Sequence, residues 1–177
     1  MPEPGPQHWA FYYARAIARE RQNHWPDAEA DFRFALKLFP DQPLVLNYLG
    51  YSLVEKQQNL PEAQAMIEKA VAQRPDDGYI TDSLAWVLYR VGKFEEAVEP
   101  MERAVELLPV DPVLNDHLGD VLWMVGRKRE AEFQWKRSLS FGPDEPGAER
   151  IRHKLDVGLD VVLAEEAATA AATIDGG

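Results

Sequence analysis

No cysteine occurs among the 177 residues, which excludes a disulfide frame and any thiolate metal site, and leaves the redox compartment unread. Basic residues are few: 19 lysines and arginines stand against 30 aspartates and glutamates, a net charge of −11. Such a chain repels a phosphate backbone and an anionic bilayer alike, so nucleic acid is not an expected partner. There is no run of about 18 apolar residues that could span a membrane, so no membrane insertion is expected. The opening Met1-Pro2-Glu3-Pro4-Gly5-Pro6 lacks the basic and apolar segments of an export signal, and the chain as given is expected to be cytoplasmic. Also missing are a phosphate-cradling glycine loop, a serine elbow and paired metal histidines, so no enzymatic activity and no cofactor is expected.

What the sequence does have is 46% hydrophobic residues, enough for a core, arranged with a long period. Pro75, Pro109 and Pro143 are 34 residues apart, and Pro40 lies 35 before Pro75, the additional residue falling near Asn59-Leu60-Pro61. Each of Ala28, Ala63, Ala97 and Ala131 precedes its proline by 12 residues. Further upstream come Leu49-Gly50, Leu84-Ala85 and Leu118-Gly119, a large residue followed by a small one. Leu46, Leu49 and Leu53 follow helical spacing, as do Ala63, Ile67 and Ala70, then Ala97, Met101 and Ala104. Gly92 and Gly126 separate a first helix from a second, and the Pro-Asp pairs stop the second. No segment reads as a strand.

This phrase, repeated four times, resembles the tetratricopeptide repeat. The resemblance covers roughly residues 7–145 and implies an all-α, right-handed α-solenoid of about four helix-turn-helix repeats plus a C-terminal capping helix. The expected organisation is a disordered lead over 1–6 and repeats over 7–42, 43–77, 78–111 and 112–145. A capping helix follows over 146–164, then a disordered alanine-rich tail over 165–177. In the first repeat, Ala14, Ala16 and Ile17 match the large-small pair only if one or two residues are inserted before Asn23. The capping helix carries Ile151, Leu155, Leu159 and Val162 inward and Glu149, Arg150, Arg152 and Lys154 outward.

The family resemblance implies a concave face lined by the first helices, on which such arrays grip a peptide or a partner helix. The positions in register are Asn47, Tyr48 and Tyr51; then Tyr79, Asp82, Ser83, Trp86, Tyr89 and Arg90; then Asp116, His117, Asp120 and Trp123. Aromatic rings gathered on one surface favour apolar anchors, and Asp82, Asp116 and Asp120 favour a partner with some positive charge. The competing reading of Trp86 and Trp123 is that they are core between helices. The lysine-bearing clamp that some family members use for chaperone tails is absent, since these positions hold Asn47, Asp82, Asp116 and His117. Asp116, His117 and Asp120 make too weak a donor set for a metal.

Trp9, Phe11, Tyr12 and Tyr13 form an aromatic edge at the N-terminal end, where an array needs a polar outer face. This edge is expected either to mediate self-association or to be covered by further repeats. The chain resembles the C-terminal repeats of longer bacterial proteins of this family, some of them exported lipoprotein adaptors, which would imply a periplasmic or envelope setting. The leading function is thus a protein-binding scaffold or adaptor using the concave face. The alternative is a self-associating structural scaffold using the aromatic edge.

Overall fold

The computed structural model describes residues 4–175, with side chains to residue 172; the expected disorder at 1–3 and 176–177 lies outside the described residues. Among the described residues there are ten α-helices and no strand. A single 3-10 turn, Pro6–His8, leads into α1 (Trp9–Arg21), so the lead expected over 1–6 gives way to ordered chain at Pro6. Then follow α2 (Trp25–Leu38), α3 (Pro43–Glu55), α4 (Leu60–Gln73), α5 (Gly78–Arg90), α6 (Phe94–Leu107), α7 (Pro112–Met124), α8 (Lys128–Ser140), α9 (Glu145–Val157) and α10 (Leu159–Asp175). The chain divides into two compact units, residues 1–92 with α1–α5 and residues 93–177 with α6–α10. No described helix is long and apolar enough to cross a membrane.

Local chemistry sets each boundary. Helices α3, α5 and α7 open on a proline or glycine behind a capping side chain: Gln42 Oε1 accepts from the Leu44 and Val45 amides, Asp77 from Ile80, Asp111 from Val113 and Leu114. The second helices stop just short of Pro40, Pro75, Pro109 and Pro143, whose rings cannot continue a helix. The turns within hairpins need left-handed backbone, supplied by Asn23 at φ 61°, Gly92 at 81° and Gly126 at 82°. The turn between α3 and α4 is one residue longer and uses two such residues, Gln57 and Asn59.

In unit 1, α1 packs on α2, α3 on α4, and α5 on α3 and α4. Their shared core holds Ala16, Phe32, Leu49, Leu53, Ile67 and Ile80. In unit 2, α7 packs on α6 and α8, with α9 on α8 and α10 on α9, around Met101, Leu114, Leu118, Trp135 and Ile151. The small residue on each first helix lets its partner approach. A Cβ on Gly50 would sit 2.8 Å from Ile67 Cγ1, and one on Gly119 would fall within the Trp135 ring.

The first hairpin corrects one expectation. Helices α1, α3, α5 and α7 begin at Trp9, Pro43, Gly78 and Pro112, so α1 is in register with no insertion before Asn23. Its small residue is Ala16, and the large position before it is Arg15 rather than an apolar residue. Buried Asp31 satisfies that guanidinium, accepting from Arg15 Nε at 2.7 Å and from Arg19 at 2.7 Å. Both arginines stay partly exposed, which weakens the pairs. Asp31→Ala is expected to cost about 1–2 kcal/mol, read as a lower urea midpoint.

The C-terminal end corrects two more. The cap is two helices, because Gly158 at φ 89° breaks the segment between Val157 and Leu159. Residues 165–175, expected to be disordered, continue α10, and those over 165–172 are exposed. Lys154, expected to point outward, is buried with its side chain 0% exposed. The reason is electrostatic, since Lys154 answers two carboxylates of α7.

Candidate functional site

Two surfaces carry the residues that the sequence singles out. On α3, Asn47, Tyr51 and Glu55 recur every four residues and so share one face. On α5, Asp82, Trp86 and Arg90 do the same. The faces meet: Trp86 Nε1 donates to Glu55 Oε1 at 2.7 Å, and Arg90 lies 3.6 Å from the same oxygen. Trp86 stacks on Tyr89 with ring centroids 4.7 Å apart and planes 9° from parallel, and both rings are largely buried. Burial, helped by the charges of Glu55 and Asp82, pushes the Tyr51 hydroxyl up and keeps it neutral. Asn47 Oδ1 is shut from solvent and accepts no hydrogen bond, an unusual state for a buried amide oxygen. Tyr79 is 57% exposed at the start of α5, and Ser83 donates back to its carbonyl at 3.0 Å. Tyr48 lies apart from this group and stacks on Phe32, with centroids 5.2 Å apart. Burial and Glu20 push its pKa up to about 12.

The α7 surface is differently disposed. Lys154 Nζ of α9 lies 2.5 Å from Asp116 Oδ1 and 2.6 Å from Asp120 Oδ1, and 5.0 Å above the Trp135 ring. Trp135 Nε1 also donates to Asp120 Oδ1 at 2.9 Å, while Arg150 reaches Asp120 Oδ2 at 3.3 Å and Glu166 Oε1 at 2.7 Å. His117 is buried beside this cluster. Trp123 packs on Trp135 and against the backbone at Gly158, and its Nε1 donates to Asp160 at 3.0 Å. The acidic residues of α7 are thus engaged by α9 within unit 2, and Trp123 is roofed by the α9–α10 turn. Among the described residues no cluster of three or more side chains could hold a metal ion.

At the N-terminal edge the rings separate into two kinds. Trp9 packs on Tyr13 and Phe39, Tyr12 on Phe34, and Tyr13 on Phe32 and Tyr48, all serving unit 1. Phe11 alone is exposed, at 59%.

The family model for the tetratricopeptide repeat matches residues 13–57 and 54–112. The chain belongs to the tetratricopeptide repeat family. A TPR repeat-containing protein of Pseudomonas aeruginosa is 37% identical over 92 residues, which are 52% of this chain and 16% of that protein. The tetratricopeptide chain described here thus spans about a sixth of the length of that curated relative.

Solved structures share the fold. A thermophilic TPR protein of Thermus thermophilus gives a TM-score of 0.75 at 20% identity, over 90% of this chain and 88% of that one. PilW, a type IV pilus biogenesis factor, gives 0.73 at 24% identity, over 86% and 71%. MamA of Desulfovibrio magneticus gives 0.68 at 17% identity, over 95% and 92%. Tetratricopeptide proteins generally mediate protein–protein interactions and are generally non-catalytic.

Glu55, Arg150 and Lys154 contact the singled-out residues and were not named with them in the sequence. Glu55 lies four residues after Tyr51, and Arg150 and Lys154 stand 34 residues after Asp116 and Asp120, so helical spacing and the repeat period both pointed to them.

Proposed function

We propose that this chain is a protein-binding adaptor whose contact surface is the joined face of α3 and α5. The observation that carries the reading is Asn47 Oδ1, buried without a partner on the same helix face as Tyr51 and Glu55. An acceptor left in that state is unfavourable, and a turn of the Asn47 side chain toward a donor arriving with a ligand, such as a backbone amide of a bound peptide, would relieve it. The buried, stacked Trp86 and Tyr89 rings hold the face rigid, Tyr79, 57% exposed, offers a ring to an apolar anchor, and Glu55, 44% exposed, favours a cation nearby. A peptide or helix with an apolar anchor and a lysine or arginine fits this chemistry. Within unit 2, Asp116 and Asp120 are 18% and 1% exposed and held by Lys154, whereas Glu55 stays 44% exposed beside Arg90, so the positive charge of the ligand is assigned to the α3–α5 face.

The test is a cross-linked partner recovered from the source cell and bound back as a purified protein. Asn47→Ala with Glu55→Gln, which removes the charge but keeps a side-chain oxygen to accept from Trp86 Nε1, is expected to weaken that binding about tenfold or more, with circular dichroism checking that the variant stays folded. Equal affinity for the folded double variant would overturn the assignment of this face.

A further inference from the structure

First helices in this chain obey a stacking rule. Each packs against the second helix of the hairpin before it: α3 on α2 and α5 on α4 in unit 1, α7 on α6 and α9 on α8 in unit 2. Residues at one register position of these helices are buried: Val45, Ile80 and Leu114 are 0%, 1% and 1% exposed. Seven residues further on, Ser52, Val87 and Val121 are buried as well. In α1 the same two positions are Phe11 and Ala18, and both are exposed, with Ala14 exposed between them. The outer face of α1 therefore has the composition and register of a docking face, with no second helix against it among the described residues.

The surface that would accept such a face lies at α9–α10, where α10 stands in the place of a second helix. A cavity of about 680 Å³ runs between the two helices, floored by Pro146, Val162 and Ala170. Its charged rim carries Glu149, Glu165 and Glu166 against one arginine and one histidine. Helix α1 is of the opposite sign, with Arg15, Arg19 and Arg21 against Glu20, and stays so although Arg15 and Arg19 share Asp31 of α2. An exposed alanine-rich helix such as α10 has little area to bury by itself and gains stability when another helix covers it.

We propose that the α9–α10 groove receives the α1 face of a second copy of this chain, repeating between molecules the contact that first helices make within them. The two surfaces differ, so the association is head-to-tail and leaves each dimer with one free head and one free tail. It uses neither α3 nor α5 and stands or falls separately from the adaptor surface.

Sedimentation equilibrium of the full chain across a concentration series tests this. The wild type is expected to gain mass with concentration, less so at high salt because the rims are oppositely charged. Phe11→Glu blocks the head and Ala170→Glu blocks the tail; both positions are exposed, and circular dichroism checks that each variant is folded. Each variant alone is expected to stay monomeric at least tenfold beyond the wild-type dissociation constant. Mixed in equal amounts they are expected to give a dimer and nothing larger, since one intact head and one intact tail remain. A wild type that stays monomeric throughout overturns the proposal and leaves the groove to a helix from another protein. Association that survives either substitution, or a mixture that stays monomeric, overturns it as well.

Discussion

Lys154→Ala should destabilise unit 2 by about 3–5 kcal/mol, seen as an early loss of helical signal in urea, because it strands two carboxylates that are largely shut from water. The ammonium lies within hydrogen-bond distance of both Asp116 and Asp120, and its side chain is 0% exposed, so solvent cannot replace it. Arg150 reaches only the far oxygen of Asp120, and at 3.3 Å. The control is the triple change Lys154→Met, Asp116→Asn, Asp120→Asn, which removes the charges together and should recover most of the loss, since the amide oxygen introduced at position 120 still accepts from Trp135. A triple variant no better than Lys154→Ala would show that stranded charge is not the source of the loss.

The same cluster sets a pH dependence. Burial and the neighbouring Asp120 charge hold the Asp116 carboxyl above the usual carboxylate range, against the opposing pull of Lys154 and His117. The folded state then binds this proton more tightly than the unfolded chain does. The stability this group contributes is fully present below its ordinary pKa of about 4 and is lost as pH rises through the raised native value. Asp116→Asn should therefore flatten the part of the melting-temperature profile that falls in this window.

Gly119→Ala should be the next most damaging single change, at about 2–3 kcal/mol, because the added methyl would occupy space filled by the buried Trp135 ring. Alanine at this register position is not harmful in itself: Ala16 holds it in α1, where Phe32 is the corresponding core ring. Shortening the ring by Trp135→Phe in the same chain should accordingly recover part of the loss. The remainder is the hydrogen bond from Trp135 Nε1 to Asp120, which phenylalanine cannot make. Urea midpoints of the two single variants and the double variant measure the coupling, and simple additivity would show that the two positions do not compete for the same space.

The helices were legible because their signals are local and repeated. Proline stops, glycine turns and alanines at fixed distances each state one geometric demand, and α3 to α8 answer them. The first helix was misplaced because its large position is Arg15, which is held by buried Asp31 sixteen residues away, and hydrophobic pattern cannot announce an ion pair. The C-terminal hairpin was misread for the same reason, since Lys154 on an amphipathic helix looks solvated until Asp116 and Asp120 are brought beside it. Helical spacing puts Trp86 and Tyr89 together on α5, whereas the stacking that buries them and the bond to Glu55 belong to the meeting of α3 and α5. Aromatic rings at the N-terminal edge could not be divided by sequence into packed and bare, because Trp9, Tyr12, Tyr13 and Phe11 differ only in which way each turn of α1 points them.

The four-residue connection at 56–59 holds one residue more than its counterparts, yet α4 keeps its packing on α3 and α5, and α5 keeps its Asp77 cap. Two left-handed side-chain residues swallow the surplus out in solvent. Growth or shrinkage of this polypeptide is therefore absorbed at the hairpin tips, and an epitope or fluorophore spliced between Gln57 and Gln58 would ride on unit 1 without disturbing the stack beneath it.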